Sequence, residues 1–146
     1  MIVMALLGGT EDERESMVIA LMKELGASRV RRLYLGYLPD PVERVRRLRM
    51  ELSSRLPDDV VTVVLNPDTD AELNTLRNLG AFVCHYYGTL SGIYSQFEIK
   101  PYDLMVSEAN RTPDHVLGAV DAWSECYVRM RQRRLKSRAM KKKAVA

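Results

Sequence analysis

Ile2-Val3-Met4-Ala5-Leu6-Leu7 runs directly into Gly8-Gly9-Thr10 and then into Glu11-Asp12-Glu13-Arg14-Glu15-Ser16. A short, unbroken apolar run stopped by glycine reads as a central strand buried on both faces. A strand, a glycine turn and a helix start normally aim backbone N–H groups at an anion. Phosphate-binding loops of this kind add a lysine and a hydroxyl, which hold triphosphate and magnesium. Here Glu15 stands where the lysine belongs, Ser16 is the nearest hydroxyl, and four carboxylates crowd the turn. Those charges repel phosphate unless they face solvent or a cation. Gly8, Gly9, Thr10, Glu15 and Ser16 therefore read as a degenerate phosphate loop.

Outward from this stretch, strand and helix patterns alternate. A helix is expected from about Ser16 to Leu25, with Met17, Leu21 and Leu25 inward and Gly26 as its stop. Arg29 to Leu35 reads as a strand. Pro39 and Pro41 then precede a helix carrying Val42, Val45, Leu48, Leu52 and Leu56 at helical spacing. Its arginines, Arg44, Arg46, Arg47 and Arg49, read as a solvated face interlaced with Glu43 and Glu51. Val60 to Leu65 is the clearest second core strand, and Asn66-Pro67-Asp68 turns at its end. Thr69 or Asp70 caps a helix with Leu73, Leu76 and Leu79, which stops at Gly80. Ala81 to Tyr86 and Asp103 to Val106 read as further strands, with an irregular excursion over Ile93 to Ile99. Thr112 and Pro113 look like the cap and first turn of a final helix, with Val116, Val120, Trp123, Tyr127 and Met130 along one side. Trp123 is expected as a core anchor.

The fold class that follows is α/β: a single three-layer domain with a mainly parallel sheet. It spans residues 1–128, and residues 129–146 form a basic helix end and flexible tail. A chain of 146 residues, 47% of them hydrophobic, buries a core without staples. No apolar stretch approaches the roughly 20 residues of a membrane span, and the opening lacks the basic leader of a signal peptide. The expected location is the cytoplasm, with no membrane partner. Cys84 and Cys126 fit buried thiols in a reducing compartment. With His85 and His115 they form no short paired ligand spacing, so no metal site is expected. Cys84 and His85, adjacent on a strand, point to opposite faces, which favours a core cysteine and a strand-end histidine over a catalytic pair. Glu11, Asp12, Glu13 and Glu15 offer hard oxygen atoms for magnesium, but capping and solvation at a helix start account for them better.

The net charge of +3 conceals an asymmetry. Arg129, Arg131, Arg133, Arg134, Lys136, Arg138, Lys141, Lys142 and Lys143 fall together with no acidic residue among them. Setting these nine aside from the 22 basic residues leaves 13 against 19 acidic ones, a balance of −6. Such a run suits salt-sensitive contact with nucleic-acid phosphates, without a defined recognition helix. A second candidate site lies where strands end: Asn66, Asp68, Tyr86, Tyr87, Thr89 and Tyr94 form a possible ligand or partner rim.

These pieces together resemble the P-loop nucleotide-kinase superfamily, most closely the phage-type deoxynucleoside monophosphate kinases. The first strand with Gly8-Gly9-Thr10 corresponds to the phosphate loop. Val61-Thr62-Val63-Val64-Leu65-Asn66-Pro67-Asp68-Thr69-Asp70-Ala71-Glu72 resembles the family's next strand and acidic helix opening. Leu76 to His85, Tyr102 to Val106 and the helix after Thr112 resemble the segments that follow. The resemblance implies a P-loop-kinase-like fold, ATP and magnesium as cofactors if the chain is a kinase, and a deoxynucleoside monophosphate as acceptor. With Glu15 in place of lysine, and too little chain for a full lid and monophosphate-binding insertion, catalysis is not expected. The expected function is a noncatalytic interaction or accessory protein on a degenerate nucleotide-kinase scaffold, phage or mobile-element encoded by resemblance. It would have a protein partner and no cofactor, and homo-oligomers remain open. The alternatives are a kinase-like phosphotransferase and a nonspecific nucleic-acid-binding accessory protein.

Overall fold

The computed structural model describes residues 1–54, 56–88 and 99–145. Among the described residues six strands form one sheet: β1 (Ile2–Leu7), β2 (Val30–Leu33), β3 (Val61–Leu65), β4 (Phe82–Tyr86), β5 (Leu104–Val106) and β6 (Val116–Leu117). Their spatial order is β2-β3-β1-β4-β5-β6, and every pairing is parallel. Four α-helices among the described residues accompany them: α1 (Glu11–Leu25), α2 (Pro41–Leu52), α3 (Asp70–Asn78) and α4 (Ala119–Val145). Parallel strands need crossovers, and the alternating sequence pattern supplies helices for them.

The three layers follow from the two-residue period of the strands. Ile2, Met4 and Leu6 of β1 join Val61, Val63, Phe82 and Cys84 in a core shared with Met17, Val18 and Leu21 of α1 and with Ala119, Ala122 and Cys126 of α4. Val3, Ala5 and Leu7 face the other way and pack with Val64, Val83, Leu48 of α2, and Leu73 and Leu76 of α3. Helices therefore cover both faces, which is why the central strands read as unbroken apolar runs. None of the described helices is long and apolar enough to cross a membrane.

Several boundaries differ from the sequence reading. α1 starts at Glu11, five residues before the expected Ser16, because Thr10 caps it and the acidic stretch is its first turn. The Thr10 hydroxyl accepts from Glu13 N–H at 3.1 Å, and the Glu13 carboxylate accepts from Thr10 N–H at 3.0 Å. This reciprocal box satisfies two N–H groups that a helix end otherwise leaves open, and the carboxylates suit the positive end of the dipole. Thr112 and Pro113 do not open the last helix. Val116 and Leu117 are drawn into the sheet opposite Met105 and Val106, so the helix begins only after Gly118. Its first N–H groups are met by the Glu108 carboxylate, which accepts from Ala119 N–H at 2.6 Å, and by Gly118 O, which accepts from Ala122 N–H. The buried line of α4 is accordingly Ala119, Ala122 and Cys126, with Trp123, Tyr127 and Met130 half-buried beside it. In α2, Val42 is 76% exposed, and Leu56 lies beyond the helix end. The side chain of that helix's first half that turns inward is Arg44, whose guanidinium donates to the loop carbonyls of Leu38 and Gly36. Most of the expected Ile93 to Ile99 excursion lies outside the described residues.

Candidate functional site

At the carboxyl edge of the sheet, the loop after β1 leads to α1 on one face, while the loop after its neighbour β3 leads to α3 on the other. Open α/β sheets bind ligands in such a crevice. The expected loop residues Gly8, Gly9 and Thr10 lie here, and so do Asn66 and Asp68 after β3, Tyr86 at the end of β4 and Tyr87 just after it. Thr89 and Tyr94 lie outside the described residues.

The crevice is filled by the chain's own polar groups. Gly8 and Gly9 take φ of 79° and 69°, a left-handed conformation that glycine adopts without steric cost. Their carbonyls converge on one guanidinium: Arg14 Nη1 donates to Gly8 O at 3.0 Å and to Gly9 O at 2.8 Å. Glu15 pairs with Arg32 of β2, and the Ser16 hydroxyl donates to Glu13 O at 2.6 Å. The two side chains at the lysine and hydroxyl positions are thus both engaged within the fold. Tyr86, expected on the rim, is instead buried. It alternates with Phe82 and Cys84 toward the α1 and α4 layer, and its ring lies against Gly9, where a Cβ would come within 3.0 Å. Tyr87 is exposed and meets His115 edge to face at 6.1 Å.

Across the crevice, Arg44 is not the solvated arginine the sequence suggested. Its side chain is only 12% exposed. It donates to Asp68 at 2.5 Å, to Leu38 O at 2.5 Å, to Gly36 O at 3.2 Å and to Glu72 at 3.4 Å. Burial pushes the Glu72 carboxyl above its usual range, and the Thr69 hydroxyl and Arg44 counter this in part. Asp68, offered as a rim residue, is therefore the anchor of a structural arginine.

A second cluster was missed because its members are far apart in sequence. Asp103, just before β5, has a fully buried side chain held by four hydrogen bonds. Arg77 of α3 donates to it at 2.6 and 2.7 Å, His85 Nε2 lies 2.8 Å away, and Lys100 N–H donates at 2.9 Å. Burial raises the Asp103 carboxyl, but these bonds outweigh it and hold the group at about 2. Cys84, on the opposite face, lies in the core beside Cys126, whose hydrogen bond, together with burial, pushes its thiol well above the ordinary range. Among the described residues no three His, Cys, Asp or Glu side chains are grouped to hold a metal ion.

The basic run is helical throughout: α4 continues unbroken to Val145. Its 27 residues make a rod about 40 Å long. Only its first half packs on the sheet, and residues 131–144 are exposed. Three arginines tie the helix to the amino-terminal edge. Arg129 donates to Tyr102 O at 2.7 Å, Arg133 to Gly80 O at 3.1 Å, and Arg134 grips Asp58 with a second bond at 2.7 Å. Arg131 leans on Tyr127. Lys136, Arg138, Lys141, Lys142 and Lys143 have no partner among the described residues. Arg134–Arg138 and Arg138–Lys142 are like-charge pairs four residues apart, an arrangement that weakens a helix in isolation.

Comparison with known proteins leaves the geometry to stand alone: no family model matches the chain, and no curated protein or solved structure matches it.

Proposed function

We propose that this chain is a noncatalytic accessory protein, on a nucleotide-kinase-like scaffold, that binds nucleic acid through the phosphate backbone. The observation that carries the reading is the projecting half of α4, where Lys136, Arg138, Lys141, Lys142 and Lys143 stand on an unbroken helix without counter-ions among the described residues. A polyanion relieves their mutual repulsion and releases its own condensed counter-ions, which makes binding salt-dependent and blind to sequence. The absence of catalysis is supported at the glycine turn. Arg14 is spent on the loop carbonyls, Thr10 and Glu13 on the helix N–H groups, and Glu15 on Arg32. A triphosphate arriving there meets Glu11, Asp12 and Glu13 and no lysine.

The test is fluorescence anisotropy of a labelled oligonucleotide against the full chain over a salt series. Binding should weaken linearly on a log–log plot. Replacing Arg138, Lys141, Lys142 and Lys143 with glutamine should lower the slope by about 3, as roughly 0.7 to 0.9 ion is released per phosphate contact. An unchanged slope, or no binding at low salt, would overturn the reading. Calorimetry with ATP and magnesium should give no saturable heat, and micromolar binding would restore the kinase alternative.

A further inference from the structure

A cleft of about 540 Å³ opens at the amino-terminal edge of the sheet, at the end opposite the glycine turn. It lies between α4, the start of β4 and the turn before β5, and Arg77, Tyr102, Arg129, Gln132, Arg133 and Lys136 supply its polar wall. This size falls within the roughly 300 to 1,000 Å³ of small-molecule sites. Four of those six side chains are cationic, and among the described residues no carboxylate lines the space.

The cations are placed by the fold. Arg77 is held by both oxygens of buried Asp103, which His85 and Lys100 N–H steady in turn. Arg129 is fixed between Tyr102 O and Glu125, at 2.7 and 2.9 Å. The Arg133 guanidinium lies 4.3 Å from the Phe82 ring centroid and donates one bond to Gly80 O. A guanidinium carries five N–H donors, so Arg129 and Arg133 each keep several for a ligand. Lys136 adds an unpaired ammonium about one turn further along α4. Beside them Tyr102 is 61% exposed, although a large aromatic group ordinarily seeks cover, and the Arg77 guanidinium lies over one face of its ring at 5.5 Å from the centroid. Positioned arginines suit a phosphoryl group, and an exposed ring next to them suits a base.

We propose that this cleft is a nucleotide site, with the phosphate held by Arg129, Arg133 and Lys136 and the base stacked on Tyr102. The nucleotide is either a free nucleoside monophosphate or one unstacked unit of a strand. For the second source alone, the inference rests on the nucleic-acid reading of α4.

Calorimetric titration of the full chain with thymidine monophosphate, thymidine and inorganic phosphate tests the first source. The monophosphate should bind about tenfold tighter than either fragment. Tyr102→Ala and Lys136→Gln should each weaken it about tenfold, while the Lys141→Gln, Lys142→Gln, Lys143→Gln triple variant leaves it unchanged. A ten-residue thymidylate strand and an abasic strand of equal length test the second source. The base-bearing strand should bind more tightly, and Tyr102→Ala should erase the difference. Tyr102 is exposed, so its loss does not threaten folding. If the monophosphate binds no better than phosphate and Tyr102→Ala leaves the strand preference intact, the nucleotide site is overturned. Salt-sensitive strand binding would then still uphold α4. Saturable monophosphate binding without strand binding would do the reverse, upholding the cleft and sinking the nucleic-acid reading.

Discussion

Gly9 shows how much a single position determines at the edge of the sheet. Its φ of 69° is left-handed, and a Cβ there would meet the Tyr86 ring at 3.0 to 3.1 Å. Gly9→Ala combines backbone strain with a clash against a buried ring, and should cost about 1 to 3 kcal/mol in denaturant-induced unfolding. Gly26 has φ of 93° but open space around it, so Gly26→Ala should cost less, and equal losses would contradict the packing argument. Asp103 carries the clearest pH signature. Its folded value of about 2 lies below the roughly 3.9 of an unfolded aspartate, so its stabilisation is complete above that higher value and is lost as pH falls through the lower one. Between pH 4 and pH 2 the wild type should lose on the order of 2 kcal/mol that Asp103→Asn, already weaker at neutral pH, no longer has to lose. Parallel pH curves for the two proteins would refute this. Glu72 has the opposite sign. Its raised carboxyl contributes stability at low pH that is lost as pH rises through its folded value.

At the scale of elements, the opening helix is set by its cap. The capping box of Thr10 and Glu13 brings the acidic stretch into the helix as its first turn. Thr10→Ala removes one side of that box and should destabilise the protein by about 1 kcal/mol in chemical denaturation, whereas Thr10→Ser should be nearly neutral. Equal losses from both would mean that the hydroxyl is not what holds the turn. Helix α4 divides into two parts of different character. Its first half joins the core through Ala119, Ala122 and Cys126, and its second half extends past the sheet edge, bearing charge. The change falls where the sheet stops, because β4 begins at Phe82 and Arg133 already lies over that residue.

For the whole molecule, the central strands bind the layers into one core. Cys84 in β4 and Cys126 in α4 are both fully buried, at the junction of the sheet with the layer formed by α1 and α4. Local opening of loops does not reach them, and the Cys84 thiol, pushed up by the Cys126 hydrogen bond and by burial, has little thiolate to attack with. Labelling by a thiol reagent under native conditions should therefore proceed only through global unfolding, with both cysteines reacting at one rate that follows denaturant stability. Rapid modification of either thiol in native protein would show that α4 separates from the sheet independently. Opposite ends of the molecule also differ in chemistry. Four carboxylates gather at and beyond the glycine turn, while the cations of α4 and Arg77 gather at the amino-terminal edge.

The sequence by itself determined the α/β class, the parallel character of the sheet, most helix and strand positions and the basic run. Each of these rests on periodicity, caps and composition, which are local quantities. It also offered Thr69 or Asp70 as the cap of α3, of which the structure uses Thr69, and put Cys84 and His85 on opposite faces. Tertiary structure decided what the polar groups do. Arg44 looked solvated because its neighbours in sequence are charged, yet it is satisfied by Asp68, which is 24 residues away. Arg77, His85 and Asp103 meet only because α3, β4 and the turn before β5 converge, and no spacing within the chain announces a contact across 26 residues. Val116 and Leu117 became a strand because β5 offered them an open edge, a choice that no local propensity contains. Apolar periodicity is written along the chain, whereas the partner of a buried charge is chosen by which elements come to lie side by side.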